Sequence, residues 1–572
     1  MNFKRIVSII IGACLLQAAT PAHTMHYLQP LICAAKNTIT RHPLLTKLVV
    51  GGALATTAYK AINAYQEKSL YWNWAHINPT IINGQSITDF YKNHRKKLAE
   101  KGVPWLWGAG SSAYQVESDS NNTNWAEWIQ LPEQVSRGLK PAGNACEFEL
   151  RYKEDIQLLK KYHINTLRFS VAWEKIIDKE GHINREELAR YKDICQELVA
   201  HGIKPVITLF HYTEPLWFYH KTRSVKIDDN NFSHLKKLLK PGQTEIELTG
   251  WEDPENIKHF VHFCQVVFDE LAPYVHLWLT FNSPEGHAAQ GWLTGTKPPG
   301  KRSMPLMAQV LQNLLEAHVQ VYQSLKVRPG GAESKIGILK NIFQLDPWNP
   351  CNPLDILACK IGTKLQDDSV FNFLLTGKFS VKVPFDVLPL MANVTHTNEY
   401  LAKGGKCLDF IGLNYYCHGY MRNFKTYRDT QREIPTENEN YTIYAEGLYR
   451  ALHTINDKIA KPLNIPIYIT ENGIGTGDEF PKTDDPEALQ MAEESRNKRL
   501  LFDKRTMYAI ACAIADKIDL LGYIRWSDKD NNEWGTKHKR YGMFHNDFET
   551  QIRTPKKGAQ YLFDLYAQSQ AA

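Results

Sequence analysis

Ten cysteines in 572 residues include no Cys-x-x-Cys pair, so neither a metal site nor a disulfide framework is indicated. One or two bridges remain open if the chain is exported. No metal or organic cofactor is implied. The body, from about Trp105 to Phe563, has no internal repeat and no low-complexity linker. It also lacks the Gly-rich phosphate turn that opens a doubly wound dinucleotide fold. Charge of one sign is missing from it too. The formal net charge is +6, but residues 1–100 hold 11 Lys and Arg against 3 Asp and Glu, leaving 56 against 58 for the rest. A near-neutral body argues against polyanion binding, and nucleic acid is excluded as a partner of the main domain.

The basic excess sits in the leader. Met1 to about Thr24 has Lys4 and Arg5, an apolar run from Ile6 to Leu16 and small residues up to Thr24, the pattern of a secretory signal peptide. The expected location is exported: periplasmic, secreted or membrane-associated. Cys14 resembles a lipoprotein cleavage site only faintly, because the apolar run before it is short. Residues 25–100 form a basic extension with one short apolar stretch, Leu48 to Tyr59. That stretch falls short of the roughly 20 apolar residues a membrane span needs. It reads as a packing helix, with interfacial membrane association as the sharper alternative.

Beyond residue 100, short β-branched or apolar runs alternate with amphipathic stretches. Strands are expected at Thr166–Phe169, Pro205–Phe210, His276–Phe281, Lys335–Leu339, Phe410–Asn414, Pro466–Thr470 and Gly522–Trp526. Helices are expected at Glu149–Tyr162, Pro254–Leu271, Met304–Leu325 and Asn497–Lys517. Strand, crossover helix, strand is the pattern of a parallel sheet. With polar residues gathered at the strand C-terminal ends, it predicts an α/β fold: one (β/α)8 TIM barrel over residues 101–568. The polar, Lys-rich segment from Thr222 to Gly250 reads as a long loop over the barrel mouth, either a lid or a surface insertion.

Tyr468-Ile-Thr-Glu471-Asn-Gly473 places a carboxylate at the end of a β-branched strand, just before a turn. Trp278-Leu-Thr-Phe-Asn282-Ser283-Pro284 has the same strand-then-turn form with a serine in that place. Six segments in order, from Trp105–Glu117 through Leu167–Trp173, Phe210–Tyr212, Asp409–Tyr416 and the Glu471 segment to Trp526–Trp534, resemble the motifs of glycoside hydrolase family 1, the β-glucosidase family.

The resemblance implies a retaining β-glycosidase acting on β-linked hexosides or oligosaccharides, with Glu471 as nucleophile and Arg168 as its partner. It implies that Gln115, His211, Asn282, Glu533 and Trp534 hold the nonreducing sugar and that Tyr416 and Trp526 line the same pocket. Relatives acting on 6-phosphorylated sugars lack the Glu533-Trp534 pair, so an unphosphorylated hexose is favoured. Lys537, Lys539 and Arg540 read as a structural basic strip.

The family's acid/base Glu is replaced by Ser283. A serine hydroxyl cannot exchange a proton near neutral pH as a raised-pKa carboxylic acid does, and losing general acid/base catalysis costs about 10²- to 10⁴-fold. Four readings follow: hydrolysis with an external base, a swing of Glu285 into the gap, transglycosylation, or a carbohydrate-binding pseudoenzyme. Tyr441 stands where the family often has a Trp, and Asp528-Lys529 replaces an apolar pair; both are expected to alter the acceptor side and the mouth. The oligomeric state is not legible.

Overall fold

The computed structural model describes residues 78–571, apart from 230, 383–392, 423–424, 431–432 and 439–440. The signal-like segment, Cys14 and the stretch Leu48–Tyr59 lie outside the described residues.

Eight strands close into one parallel barrel: β1 (Leu106–Gly110), β2 (Thr166–Ser170), β3 (Lys204–Phe210) and β4 (Leu277–Asn282), then β5 (Lys335–Asn341), β6 (Phe410–Asn414), β7 (Ile467–Asn472) and β8 (Leu520–Trp526). Each pairs with its neighbours in chain order and β8 closes on β1, which is the (β/α)8 architecture. A strand covered on both faces needs no alternation of apolar and polar residues. Thr-Leu-Arg-Phe-Ser of β2 and Leu-Leu-Gly-Tyr-Ile-Arg-Trp of β8 are accordingly buried throughout. The charged exceptions are paired: Arg168 with Glu471, and Arg525 with Asp503 at 3.0 Å.

Helices Phe148–Lys161, Ile257–Leu271 and Met304–Lys326 lie within a few residues of their expected places. The fourth differs. It runs from Pro486 to Ala515, capped by the Asp485 carboxylate on Ala488 N at 3.1 Å. Its first turns are largely solvent-facing and polar, so they carry no apolar period to announce them.

Helix Ile87–Ala99 falls in the segment read from sequence as extension, yet it belongs to the compact unit Ile77–Ala572. It buries Ile87, Phe90, Tyr91 and Leu98. The Tyr91 hydroxyl donates to Met507 O at 2.8 Å, and its ring meets Trp107 edge-on at 5.1 Å. Its apolar stripe is too thin among four Lys and Arg to stand out without that partner surface.

The segment from Thr222 to Gly250 is an antiparallel hairpin, Thr222–Lys226 against Glu245–Thr249, with a 3₁₀ turn at Ser233–Leu238. It buries Val225, Ile227, Leu235 and Leu248. None of its described residues lines the central cavity. Among the described residues, Cys146, Cys195, Cys264, Cys359, Cys407, Cys417 and Cys512 form no disulfide, and no helix is long and apolar enough to cross a membrane.

Candidate active site

The loops after the strands' C-terminal ends surround a cavity of about 980 Å³. Every candidate except Arg168 lines it: Gln115, His211, Asn282, Ser283, Tyr416, Glu471, Trp526, Glu533 and Trp534. Arg168 lies fully buried beneath them. Residues more than 400 positions apart thus converge because the barrel collects every strand end on one face.

Glu471 ends β7 and is held from two sides. Arg168 Nη1 donates to Oε1 at 2.5 Å, and the Tyr416 hydroxyl donates to Oε2 at 2.7 Å. A carboxylate with a charged and a neutral donor keeps its oxygens aimed. The guanidinium is itself fixed by Thr208 Oγ1 at 2.9 Å and by Asn282 Oδ1 at 3.2 Å. Asn414 Nδ2 donates to the same Asn282 oxygen at 2.8 Å, and Thr470 donates to Asn414 Oδ1 at 2.9 Å. The backbone behind Glu471 needs Gly473, where an added Cβ would lie 2.0 Å from Trp526 O. That close approach explains the glycine in Thr-Glu-Asn-Gly.

His211 follows β3, with its Nε2 3.1 Å from Asn282 Nδ2. Burial, then the Arg168 charge, hold its pKa well below the usual histidine range, so it faces the pocket as a neutral imidazole. Gln115 is oriented by Ser112, whose hydroxyl donates to its Oε1 at 2.7 Å. Trp534 packs against Trp125 at 4.4 Å and lies nearly parallel to His211 at 6.1 Å.

Glu533 accepts from Trp526 Nε1 at 3.0 Å. Withdrawal from water, reinforced by the Glu471 charge, raises its pKa to about 7. A raised carboxyl pKa favours the folded state while the group is protonated. That contribution is complete below about 4.3, the unfolded value, and is lost as pH rises through about 7. Glu533→Gln stays uncharged, so its Tm relative to wild type is expected to rise from pH 5 to pH 8; a constant difference in thermal melts across that range refutes the shift.

Ser283 follows β4 in a left-handed conformation, φ 45°, and caps the short helix Pro284–Ala288. Its hydroxyl lies 3.5 Å from Asn414 Nδ2. Glu285 is turned away from the gap in this structure. Its Oε1 accepts from Lys340 Nζ at 3.1 Å and from Asn341 N at 2.9 Å, and it lines no part of the cavity. Pro284 turns the chain so that position 285 faces Lys340, which also pairs with Asp367 at 2.8 Å.

Several lining residues carried no signal of their own in the sequence. Trp125, Lys297 and His287 come from loops and helices outside the matched motifs and reach the cavity only through tertiary packing. Lys297 sits 4.7 Å over the Trp125 ring, and burial lowers its pKa to about 8. Lys539 lines the cavity and is therefore not part of a merely structural strip. Lys537 instead covers Phe548 at 4.7 Å, and Arg540 pairs with Asp478 at 3.0 Å. Tyr441 lines the cavity and stacks on Tyr416 at 5.9 Å. Asp528 and Lys529 do not alter the mouth; they are buried, with Lys529 paired to Asp528 at 2.5 Å and Asp155 at 3.2 Å.

Curated relatives include 6-phospho-beta-galactosidases from Clostridium acetobutylicum, 26 % identical over 508 residues covering 81 % of this chain and 96 % of the relative, and from Staphylococcus aureus, 27 % identical over 500 residues covering 81 % and 97 %. Among solved structures, a beta-glycosidase from Pyrococcus horikoshii superposes with a TM-score of 0.63 at 26 % identity, covering 81 % of this chain and 94 % of that one. A beta-glucosidase from Thermotoga maritima in complex with castanospermine shares the fold with a TM-score of 0.64 at 24 % identity, covering 82 % and 98 %. The family model for glycosyl hydrolase family 1 matches residues 100–221 and 242–571, broken only inside the Thr222–Gly250 hairpin, and the chain belongs to that family.

Proposed function

We propose that the protein is a retaining β-glycosidase of β-glucosidase type, acting on an unphosphorylated β-hexoside through a glycosyl ester on Glu471. The observation that carries this reading is the preserved Arg168–Glu471–Tyr416 constellation at the floor of a sugar-sized cavity. A carboxylate oriented there by a charged and a neutral donor is what nucleophilic attack on an anomeric carbon requires. His211, Gln115, Asn282 and Glu533 supply hydrogen-bonding partners for vicinal hydroxyls, and Trp534 supplies an apolar platform. Glu533 also bears on the sugar: a phosphate beside that carboxyl and Glu471 would add like charge in a low-dielectric site.

Ser283 occupies the acid/base position in this reading, so glycosides whose leaving groups need no proton react first. The same serine favours a second reading, a sugar-binding protein without turnover. Trapping with a 2-deoxy-2-fluoro β-glucoside decides between them. Intact-mass and peptide analysis is expected to find a glycosyl adduct on Glu471, and no adduct overturns the covalent reading. A parallel comparison of nitrophenyl β-glucoside, β-galactoside and β-galactoside 6-phosphate tests the sugar; preference for the phosphorylated substrate refutes that part.

A further inference from the structure

One turn beyond Ser283, the wall of the cavity holds a second titratable pair. His287 lies in the short helix Pro284–Ala288, and its N–H donates to Ser283 O at 3.1 Å. That backbone bond holds the two residues one turn apart, and both line the cavity. It is 5 % exposed, yet it lines the same cavity as Glu471. Its ring lies parallel to Tyr212 at 5.7 Å and meets Phe210 and Trp292 edge-on at 5.2 and 5.4 Å.

Nε2 is buried with no hydrogen-bond partner, and the nearest carboxylate oxygen, Glu214 Oε1, is 3.6 Å away. Glu214 is itself 2 % exposed, anchored through Asn124 Nδ2 at 3.3 Å. A buried carboxylate facing an imidazole nitrogen fixes the ring's tautomer and orientation, as in histidine–carboxylate pairs of acyl-transfer enzymes. Catalytic hydrogen bonds of this kind are often long without substrate and tighten in the complex.

We propose that His287, oriented by Glu214, moves the proton that Ser283 cannot. The inference rests on the retaining reading above. In the first half-reaction the imidazolium gives the proton on Nδ1 to the glycosidic oxygen as the C1–O bond breaks and Glu471 forms its ester to C1. The leaving alcohol carries that proton away and the imidazole is left neutral. In the second half-reaction the neutral imidazole takes a proton from water as the water oxygen bonds to C1 and the ester breaks, restoring the imidazolium and the Glu471 carboxylate. His287 is the catalytic residue in this scheme and Glu214 a positioning residue.

The charged and titratable groups around the ring are few. Glu214 faces Nε2, Tyr212 covers one face, and Glu252 lies behind Glu214, tied to Lys301 at 2.5 Å and to Trp292 Nε1 at 2.6 Å. Burial, then the charges of Glu471 and Glu285, push the Tyr212 phenol well above its ordinary pKa, so it does not compete as an acid. The Ser283 hydroxyl interacts with that phenol, and an added Cβ on Gly286 would lie 3.5 Å from Ser283 Cβ and 3.8 Å from Tyr212 Oη. Tyr212, Ser283, Gly286 and His287 therefore share one wall, and Glu214 backs His287 from outside the cavity.

The test is a series of aryl β-glucosides of rising leaving-group pKa, run with wild type, His287→Gln, His287→Ala and Glu214→Gln. In His287→Gln the loss of kcat/KM is expected to grow along the series, small for dinitrophenyl and about 10²-fold or more for phenyl. The high-pH limb of the wild-type profile is expected to vanish in that variant and to move to lower pH in Glu214→Gln, which a purely structural role would not do. Added imidazole is expected to restore part of the His287→Ala activity. Castanospermine affinity and thermal melts report whether the variants remain folded. A leaving-group dependence and pH profile identical in wild type and His287→Gln overturn this inference alone, whereas absence of the fluoroglucoside adduct on wild-type Glu471 overturns both readings.

Discussion

Glu471→Ala is expected to abolish the burst of dinitrophenol that wild type releases from dinitrophenyl β-glucoside and to lower steady-state turnover by about 10⁴- to 10⁶-fold, the scale seen when a nucleophile is removed. The leaving group needs no proton, so the loss isolates attack at C1. Alanine at 471 leaves the Arg168 guanidinium with Asn282, Thr208 and the Thr470 carbonyl as partners but with no counter-charge. A buried charge stripped of its partner costs about 3–5 kcal/mol, so the melting temperature should fall as well. Glu471→Gln lessens the second effect, because the amide oxygen still accepts from Arg168 and the amide NH2 can donate to the Tyr416 oxygen, while nucleophilicity is lost. Stopped-flow burst kinetics on both variants provide the check. A full burst in either would remove Glu471 from the chemistry.

Ser283→Glu is expected to act in the opposite direction, raising kcat/KM for alkyl and phenyl β-glucosides by about 10²- to 10⁴-fold while changing dinitrophenyl glucoside little. Position 283 already adopts a left-handed backbone with serine, so glutamate brings no new constraint from φ. Its side chain enters a cavity wall that Tyr212, Asn414 and Gly286 also line. The gain should be larger in a His287→Gln background than in wild type, since in wild type the dyad already moves part of the proton. Added azide should accelerate wild type on the dinitrophenyl substrate and lose that effect once glutamate is present. An unreactive Ser283→Glu together with an unreactive wild type would favour the sugar-binding reading.

The scaffold was legible because its signals are local. Thr166-Leu-Arg-Phe and Phe410-Ile-Gly-Leu-Asn are short runs with turn residues nearby, and they became β2 and β6 within a residue of their expected ends. Helix Ile87–Ala99 was missed because its few apolar residues gain meaning only against Trp107 and Met507. Glu471, Arg168 and the other candidates that line the cavity could be named from ordered motifs. No motif, however, states that Arg168 reaches across from β2 to β7 at 2.5 Å, since that distance depends on the closure of the barrel.

The region around Ser283 shows the same division more sharply. The sequence by itself determined that Ser283 follows Asn282 where the family resemblance leads one to expect a carboxylate, and that Glu285 is the nearest carboxyl along the chain. Only the tertiary structure decided that Glu285 is bonded to Lys340 and Asn341, and that His287, backed by Glu214, and Tyr212 share the wall with Ser283. Chain proximity sets which groups are tethered together, whereas the burial, dielectric and partners that make a group an acid, a base or a counter-ion arise from packing between strands and loops distant in sequence.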